Sequence, residues 1–309
     1  MIHLGELVKI RGMDIELEIT PGRYVLAVSG GIDSVVLLNK LALQPGVELT
    51  VAHFDHGIRD DSIIDRKFVS ELAGSLKLPF VYEEGKLGAG TSEAVARKAR
   101  YDFLLSVQKV SGAKGLVTAH HQDDLLETVI INLLRGTGRK GLSPMLNSSL
   151  AYRPLLKVSK QQIVEYAKNQ GLNWREDSTN QDTSYLRNYV RHKILTRFSD
   201  DQRRRLLTLI MNSDELNKEI DACLAECLRS QASAYQMDRD SFVMLPHSIA
   251  KEVLAAWLRD QGLRGFDSKL LEHLVIAAKI APSGKYADVN NRLVMHIGTD
   301  KLALMGRDR

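Results

Sequence analysis

The stretch VLAVSGGIDSVVLL, Val25 to Leu38, sets Ser-Gly-Gly-Ile-Asp-Ser between two apolar runs, and its reading decides the fold. Tyr24 to Val28, before the loop, is short and apolar, as a buried strand is; Val35 to Leu38 with Leu41, after it, has the spacing of the inward face of a helix. Strand, small-residue loop and helix make a phosphate-binding layout. Gly30 and Gly31 let the backbone turn tightly and approach a ligand, and the free amides at the positive end of the helix favour an anion, naturally a pyrophosphate. Ser29, Gly30, Gly31, Ile32, Asp33 and Ser34 are therefore the candidate nucleotide-phosphate residues. The loop is not a Walker A sequence, because it holds no lysine and no Gly-Lys-Ser/Thr follows. Asp33 carries two compatible readings: a helix cap, shared with Ser34, or a carboxylate that tolerates phosphates only when a divalent cation screens it.

Outward from the loop, strands and helices alternate. Val47 to Phe54 reads as a second strand ending in HFDHGIR, Asp61 to Leu78 as a helix, and Pro79 to Tyr82 as a third strand. Glu93 to Val110 is a helix, Gly115 to Ala119 a fourth strand, and Asp123 to Leu134 a helix. This order predicts a parallel, doubly wound α/β sheet covered on both faces. Ligands sit at the carboxyl ends of such strands, so the polar segments SGGIDS, HFDHGIR and AHHQDDLLET should converge on one pocket. Downstream, helices are expected near Ser159 to Gln170, from Ser184, and at Glu215 to Arg229, Ile249 to Asp260 and Ser268 to Ile280. A hairpin over Lys285 to Met305 turns at Asn290-Asn291. The boundary is placed between about Asp200 and Asp214, dividing residues 1–207 from a smaller, mainly helical domain over 208–309.

At 309 residues the chain suits about two domains. No apolar run approaches the roughly 20 residues that span a bilayer, and Met1 to Glu18 lacks the basic start and apolar centre of a secretory signal. A cytoplasmic protein with no membrane partner is expected. The two cysteines, Cys223 and Cys227, exclude a disulfide framework by count and read as buried structural thiols. The net charge of +4 implies little by itself.

Several constellations carry chemistry. His53, Asp55, His56 and Arg59 follow the second strand; a metal reading lacks a third ligand, whereas His56 and Arg59 suit the lining of a nucleotide pocket, with loop hydrogen bonds as the plain alternative. Arg97 is four residues from Glu93, a surface pair by default, but Arg97 or Arg100 can also meet a phosphate bidentately. His120, Asp124 and Glu127, spaced four and three, share one helical face that suits a cationic amino substrate, Mg²⁺ or a general base. Arg187 and Arg191 lie four apart, and Arg203-Arg204-Arg205 follows; these read either as a solvated basic face or as phosphate contacts to a nucleic acid.

Together, SGGIDS, HFDHGIR, EAVARKARY, TAHHQDDLLET, RGTGRKGL, RPLL and WREDSTNQDTSYLRNYVR, from about Tyr24 to Arg191, resemble the bacterial tRNA(Ile)-lysidine synthetase family of the PP-loop, or N-type ATP pyrophosphatase, superfamily, in its short form. Ile58 stands where the family pattern has leucine. The resemblance implies an adenine nucleotide α-hydrolase-like fold and an ATP-dependent ligation of free L-lysine to C2 of the wobble cytidine of a CAU-anticodon tRNA(Ile), through an adenylated tRNA. On that basis Ser29 to Ser34, His56 and Arg59 hold ATP, and Asp33 holds Mg²⁺. His120, Asp124 and Glu127 bind lysine, with Asp33, Asp124 and Glu127 as the catalytic set. Arg97, Arg100, Arg187 and Arg191 meet tRNA, the 208–309 domain helps bind it, and a homodimer is left open. A tRNA-thiolating PP-loop enzyme and a noncatalytic tRNA-binding protein are the rival readings.

Overall fold

The first apolar run forms strand β1, Gly22–Ala27, and the chain then alternates through α1 (Ile32–Ala42), β2 (Val47–Asp55), α2 (Ser62–Ser75), β3 (Phe80–Glu84), α3 (Glu93–Ser111), β4 (Gly115–Val117), α4 (Gln122–Leu134) and α5 (Lys160–Asn169). The computed structural model describes residues 15–57, 62–85, 91–146, 150–175, 186–231, 235–263 and 265–307. All three strand pairings are parallel, in the order β3-β2-β1-β4, with Leu26 between Val51 and Val117. Period-two alternation accounts for the two covered faces. Tyr24 and Leu26 pack with Val36, Leu37 and Ile163, while Val25 packs with Phe54, Tyr101 and Leu104. This is the doubly wound sheet that the sequence predicts.

β1 lies between β2 and β4, so the strand order reverses there and opens a crevice at the carboxyl ends of β1 and β4. Two helices start at that edge with their own caps. His121 caps α4 and forms a reciprocal capping box with Asp124, and Ser159 and Gln162 form one at the start of α5.

The chain next runs through α6 (Leu186–Tyr189), a π-helical turn at Val190–Ile194 and a 3₁₀ turn at Leu195–Arg197. The spacing predicts one regular helix over these residues. Instead the hydrogen-bond register changes twice, while Val190 and Leu195 stay buried against Leu125, Leu126 and Val129.

Two compact units divide between Asp214 and Glu215, a point inside the continuous helix α7 (Asp200–Gln231). The second unit adds β5 (Gln236–Asp238), α8 (Arg239–Met244), α9 (His247–Asp260), α10 (Ser268–Ile280), β6 (Lys285–Asp288), β7 (Leu293–Ile297) and β8 (Lys301–Gly306) around Trp257, Leu254 and Met295. The expected hairpin is larger than its sequence suggests. A second turn, closed by the Gly298 N–H on the Lys301 carbonyl, makes β8 a further strand, and Met237 pairs with Leu302 to give an antiparallel sheet ordered β5-β8-β7-β6. Cys223 and Cys227, expected to be buried, are exposed, because α7 turns Leu224 and Leu228 inward. Among the described residues no helix is long and apolar enough to cross a membrane.

Candidate active site

The Ser34 hydroxyl is the hub of the glycine loop. Ser34 Oγ accepts from the amides of Ser29 (3.3 Å) and Gly30 (3.2 Å) and donates to the Gly31 carbonyl (2.8 Å), so the loop curls over the first turn of α1. Gly30 has φ +92°, a conformation that side chains oppose, and an added Cβ would touch Val69 Cγ2 at 3.4 Å. Gly31 stands at the N-cap of α1 with no side-chain cap, and a Cβ there would meet only Ser29 Oγ. The arrangement leaves the first-turn amides for a phosphate and gives its oxygens room to approach.

Asp33, at the start of α1, is the centre of a charged network. Its Oδ1 lies 2.6 Å from Lys160 Nζ on α5 and 3.7 Å from His121 Nε2. His121 is buried; its Nδ1 accepts the Asp123 amide, which leaves the proton on Nε2, facing Asp33 and Asp124 Oδ2 (3.5 Å). The loop and the start of α4 thus face each other across the His121 ring. Asp33 is the only acidic side chain of the loop and, with phosphate oxygens, suits a Mg²⁺ ion, which takes few protein ligands.

Asp124 and Glu127 lie three apart on α4 and share Arg191, whereas His120, expected on the same helical face, precedes the helix and its His121 N-cap, and the surroundings of the three differ. Glu127 is fully buried and receives Arg187 Nε at 3.1 Å and Arg191 Nε and Nη2 at 2.5 and 3.0 Å. Arg191 Nη2 also reaches Asp124 Oδ1 at 3.3 Å. Burial pushes the Asp124 carboxyl upward, yet His121, the His121 amide, His120 and Arg187 together outweigh it and hold it below the usual carboxylate range. For Arg191 burial pulls the other way from the partners, and Glu127, Asp124 and Asp33 prevail to raise its pKa. His120 Nδ1 is 2.8 Å from Thr118 Oγ1, and burial, reinforced by Arg153, Arg100 and Arg97, lowers its pKa to about 3. It is therefore neutral at pH 7.

The remaining candidates divide. His53 is a buried strand-end residue whose Nδ1–H donates to the Val28 carbonyl (2.8 Å), and burial lowers its pKa. His56 lies edge-on against Phe54, ring centroids 5.0 Å apart. Arg59 lies outside the described residues. Arg97 and Arg100 both stand over the Tyr101 ring, at 5.0 and 5.5 Å. Sequence reasoning missed Lys160, His121 and Arg175. The Arg175 amide holds the Gly30 carbonyl at 3.0 Å, and its side chain pairs with Asp65. Lys160 lies inside a Ser-x-x-Gln capping signature and His121 immediately precedes an acidic helix start; both signals locate a helix end, but neither names its charged neighbour.

The profile of the PP-loop domain matches residues 8–198. The chain is 32% identical over 276 residues to a tRNA(Ile)-lysidine synthase of Solibacter usitatus, which spans 85% of this chain and 62% of that relative. It is 41% identical over 187 residues to a tRNA(Ile)-lysidine synthase of Thermotoga sp. strain RQ2, across 56% of this chain and 45% of that one. The chain thus spans less than two thirds of the length of either curated relative. A U34-tRNA thiolase of Methanococcus maripaludis, solved with its 4Fe-4S cluster, shares the fold at TM-score 0.54 and 16% identity, over 64% of this chain and 73% of that one. A glycine loop pinned by Ser34 between β1 and α1, within a match that covers more than half of its length, shows that this chain belongs to the PP-loop domain family.

Proposed function

We propose that this protein uses ATP to join free L-lysine to C2 of the wobble cytidine of a CAU-anticodon tRNA(Ile), releasing AMP and pyrophosphate. The observation that carries the reading is the apposition of the PP-loop and an acidic face across the His121 ring, between Asp33 and Asp124. The loop Ser29 to Ser34 receives the leaving pyrophosphate at the first-turn amides of α1 that it leaves unbonded, His56 and Arg59 line the nucleotide, and Asp33 would hold Mg²⁺, which supplies charge neutralisation at the phosphates. Asp124 and Glu127, beside neutral His120, receive the lysine ammonium. That group must lose a proton before it attacks, and Asp124, held as a carboxylate, is the acceptor at hand.

Arg97 with Arg100 beside it, and Arg187 with Arg191, supply contacts to tRNA, and the second unit makes contacts of its own. Arg187 and Arg191 now bind the same carboxylates as the proposed amine. The two assignments are compatible when the guanidiniums exchange Glu127 and Asp124 for RNA phosphates on tRNA binding.

The test incubates the protein with ATP, Mg²⁺, labelled lysine and an unmodified CAU-anticodon isoleucine tRNA, followed by nucleoside digestion and mass analysis. An ATP-dependent, lysine-bearing cytidine is the expected product. ATP cleavage to AMP without lysine incorporation would redirect the search to another acceptor.

A further inference from the structure

One carboxylate at the carboxyl edge of the sheet is left out of the network around Asp33. Asp55 ends β2 and is 3% exposed. Its backbone carbonyl accepts the Gly85 amide at 2.7 Å, and its Oδ1 accepts the Gly57 amide at 2.8 Å, in a turn where Gly57 has φ +65°. Its Oδ2 is buried with no hydrogen-bond partner among the described residues. Asp55, Asp65 and Arg66 all act on the His53 ring, so they share one neighbourhood. The donors there are committed elsewhere: His53 Nδ1 to the Val28 carbonyl, Arg66 to Glu84, and Arg175 to Asp65. A buried carboxylate oxygen without a donor is costly, and folded proteins seldom keep one without a use for it.

The place of Asp55 in the fold says which donor completes it. Side chains alternate in direction along a strand, so Asp55 lies on the same face of β2 as His53, whose ring reaches the Val28 carbonyl at the root of the glycine loop. β2 pairs in parallel with β1, and neighbouring strands are about 5 Å apart, so Asp55 stands one strand over from the loop that begins at Ser29. A nucleotide whose phosphates sit on that loop has its sugar next to them and its base farther out. Parallel βαβ units that bind dinucleotides use an acidic residue, roughly 20 residues past the glycines, to accept a ribose hydroxyl. Asp55 occupies the corresponding place here, behind a different phosphate loop.

We propose that Asp55 reads the sugar of the nucleotide: its Oδ2 accepts a hydrogen bond from one ribose hydroxyl of ATP, so that the protein selects a ribonucleotide over a deoxyribonucleotide. This rests on the reading that the loop holds the phosphates of ATP. With Oδ1 held by Gly57, one oxygen is offered, which matches one hydroxyl donor. Among the described residues no three metal-binding side chains gather there, and Asp33 remains the carboxylate beside the phosphates.

The test titrates ATP, 2′-deoxy-ATP and 3′-deoxy-ATP, each with Mg²⁺, into the full chain by calorimetry. Removal of one of the two hydroxyls is expected to weaken binding roughly tenfold to a hundredfold, the range for a hydrogen bond to a charged group. That ratio should shrink in Asp55→Asn, whose amide oxygen still accepts the Gly57 N–H, and vanish in Asp55→Ala. Any loss on removing the 6-amino group of the base, measured with purine riboside triphosphate, should be the same in all three proteins. Equal affinities for the three sugars in the unaltered protein would overturn the proposal, whether or not the variants fold. Variants that weaken every nucleotide alike and keep the ribose preference would also overturn it and leave Asp55 a structural turn residue. A base effect that disappears in Asp55→Ala would assign the oxygen to the base instead. Absence of ATP binding altogether would take the nucleotide reading with it.

Discussion

Glu127 has no exposed surface and gives both carboxylate oxygens to Arg187 and Arg191, so its charge is part of the fold as well as of the candidate site. Glu127→Gln leaves two guanidiniums with a neutral partner, and a loss of about 3 kcal/mol is expected from a urea titration, the usual cost of breaking a buried pair from one side. In the proposed reaction the same variant should impair lysine transfer more than AMP formation; equal loss of both steps would remove Glu127 from the amine site. His120 makes a different prediction. Its folded pKa of about 3 lies below the ordinary 6.5, so the unfolded chain takes up the proton first as pH falls. The stability from neutral His120 is full above pH 6.5 and drains as pH drops toward 3. His53, also lowered by burial, adds in the same sense. Urea midpoints at pH 7 and pH 5 should therefore differ less in His120→Asn than in the unaltered protein.

At the scale of elements, the PP-loop is a short piece of backbone that works only in one shape. Gly30→Ala places a side chain at φ +92° against Val69 and should cost roughly 1–2 kcal/mol. Ser34→Ala removes the hydroxyl shared by two amides and a carbonyl, at about 1–3 kcal/mol for the unsatisfied groups. Both variants should lower the thermal midpoint and weaken ATP binding measured by calorimetry, and a normal affinity in either would show that the loop shape is not what the nucleotide reads. Apolar spacing made α1, α3, α4 and α5 legible, because their inward faces repeat with the helical period. The π turn at Val190–Ile194 was not legible. It is a small shift in hydrogen-bond register within a segment whose arginines bind Glu127 and Asp124, residues more than fifty positions earlier. The C-terminal sheet was half legible for a related reason: local alternation marks strands, but β5 is a three-residue segment that pairs only with the distant β8.

For the whole molecule, the two compact units have separate cores, and each contains one of the two tryptophans: Trp174 in the first and Trp257 in the second. Trp174→Phe and Trp257→Phe variants each leave a single emitter, and their fluorescence transitions in urea should report the two units separately. Saturating ATP should move the Trp257→Phe transition, in which Trp174 reports, to higher urea, since a ligand stabilises the unit that binds it. A shift seen only by Trp257 would place the nucleotide in the wrong unit. What the sequence determined by itself was whatever is written in local pattern: a parallel sheet from alternating apolar runs, a phosphate loop from two glycines between a strand and a helix, and two carboxylates on one face of α4 from the spacing of Asp124 and Glu127. Tertiary structure alone decided which charges those residues meet. Lys160 on Asp33, Arg191 on Glu127 and Arg153 beside Tyr101 are contacts between segments far apart in the chain, and ion pairing depends on distance and burial in space, neither of which spacing along a sequence encodes.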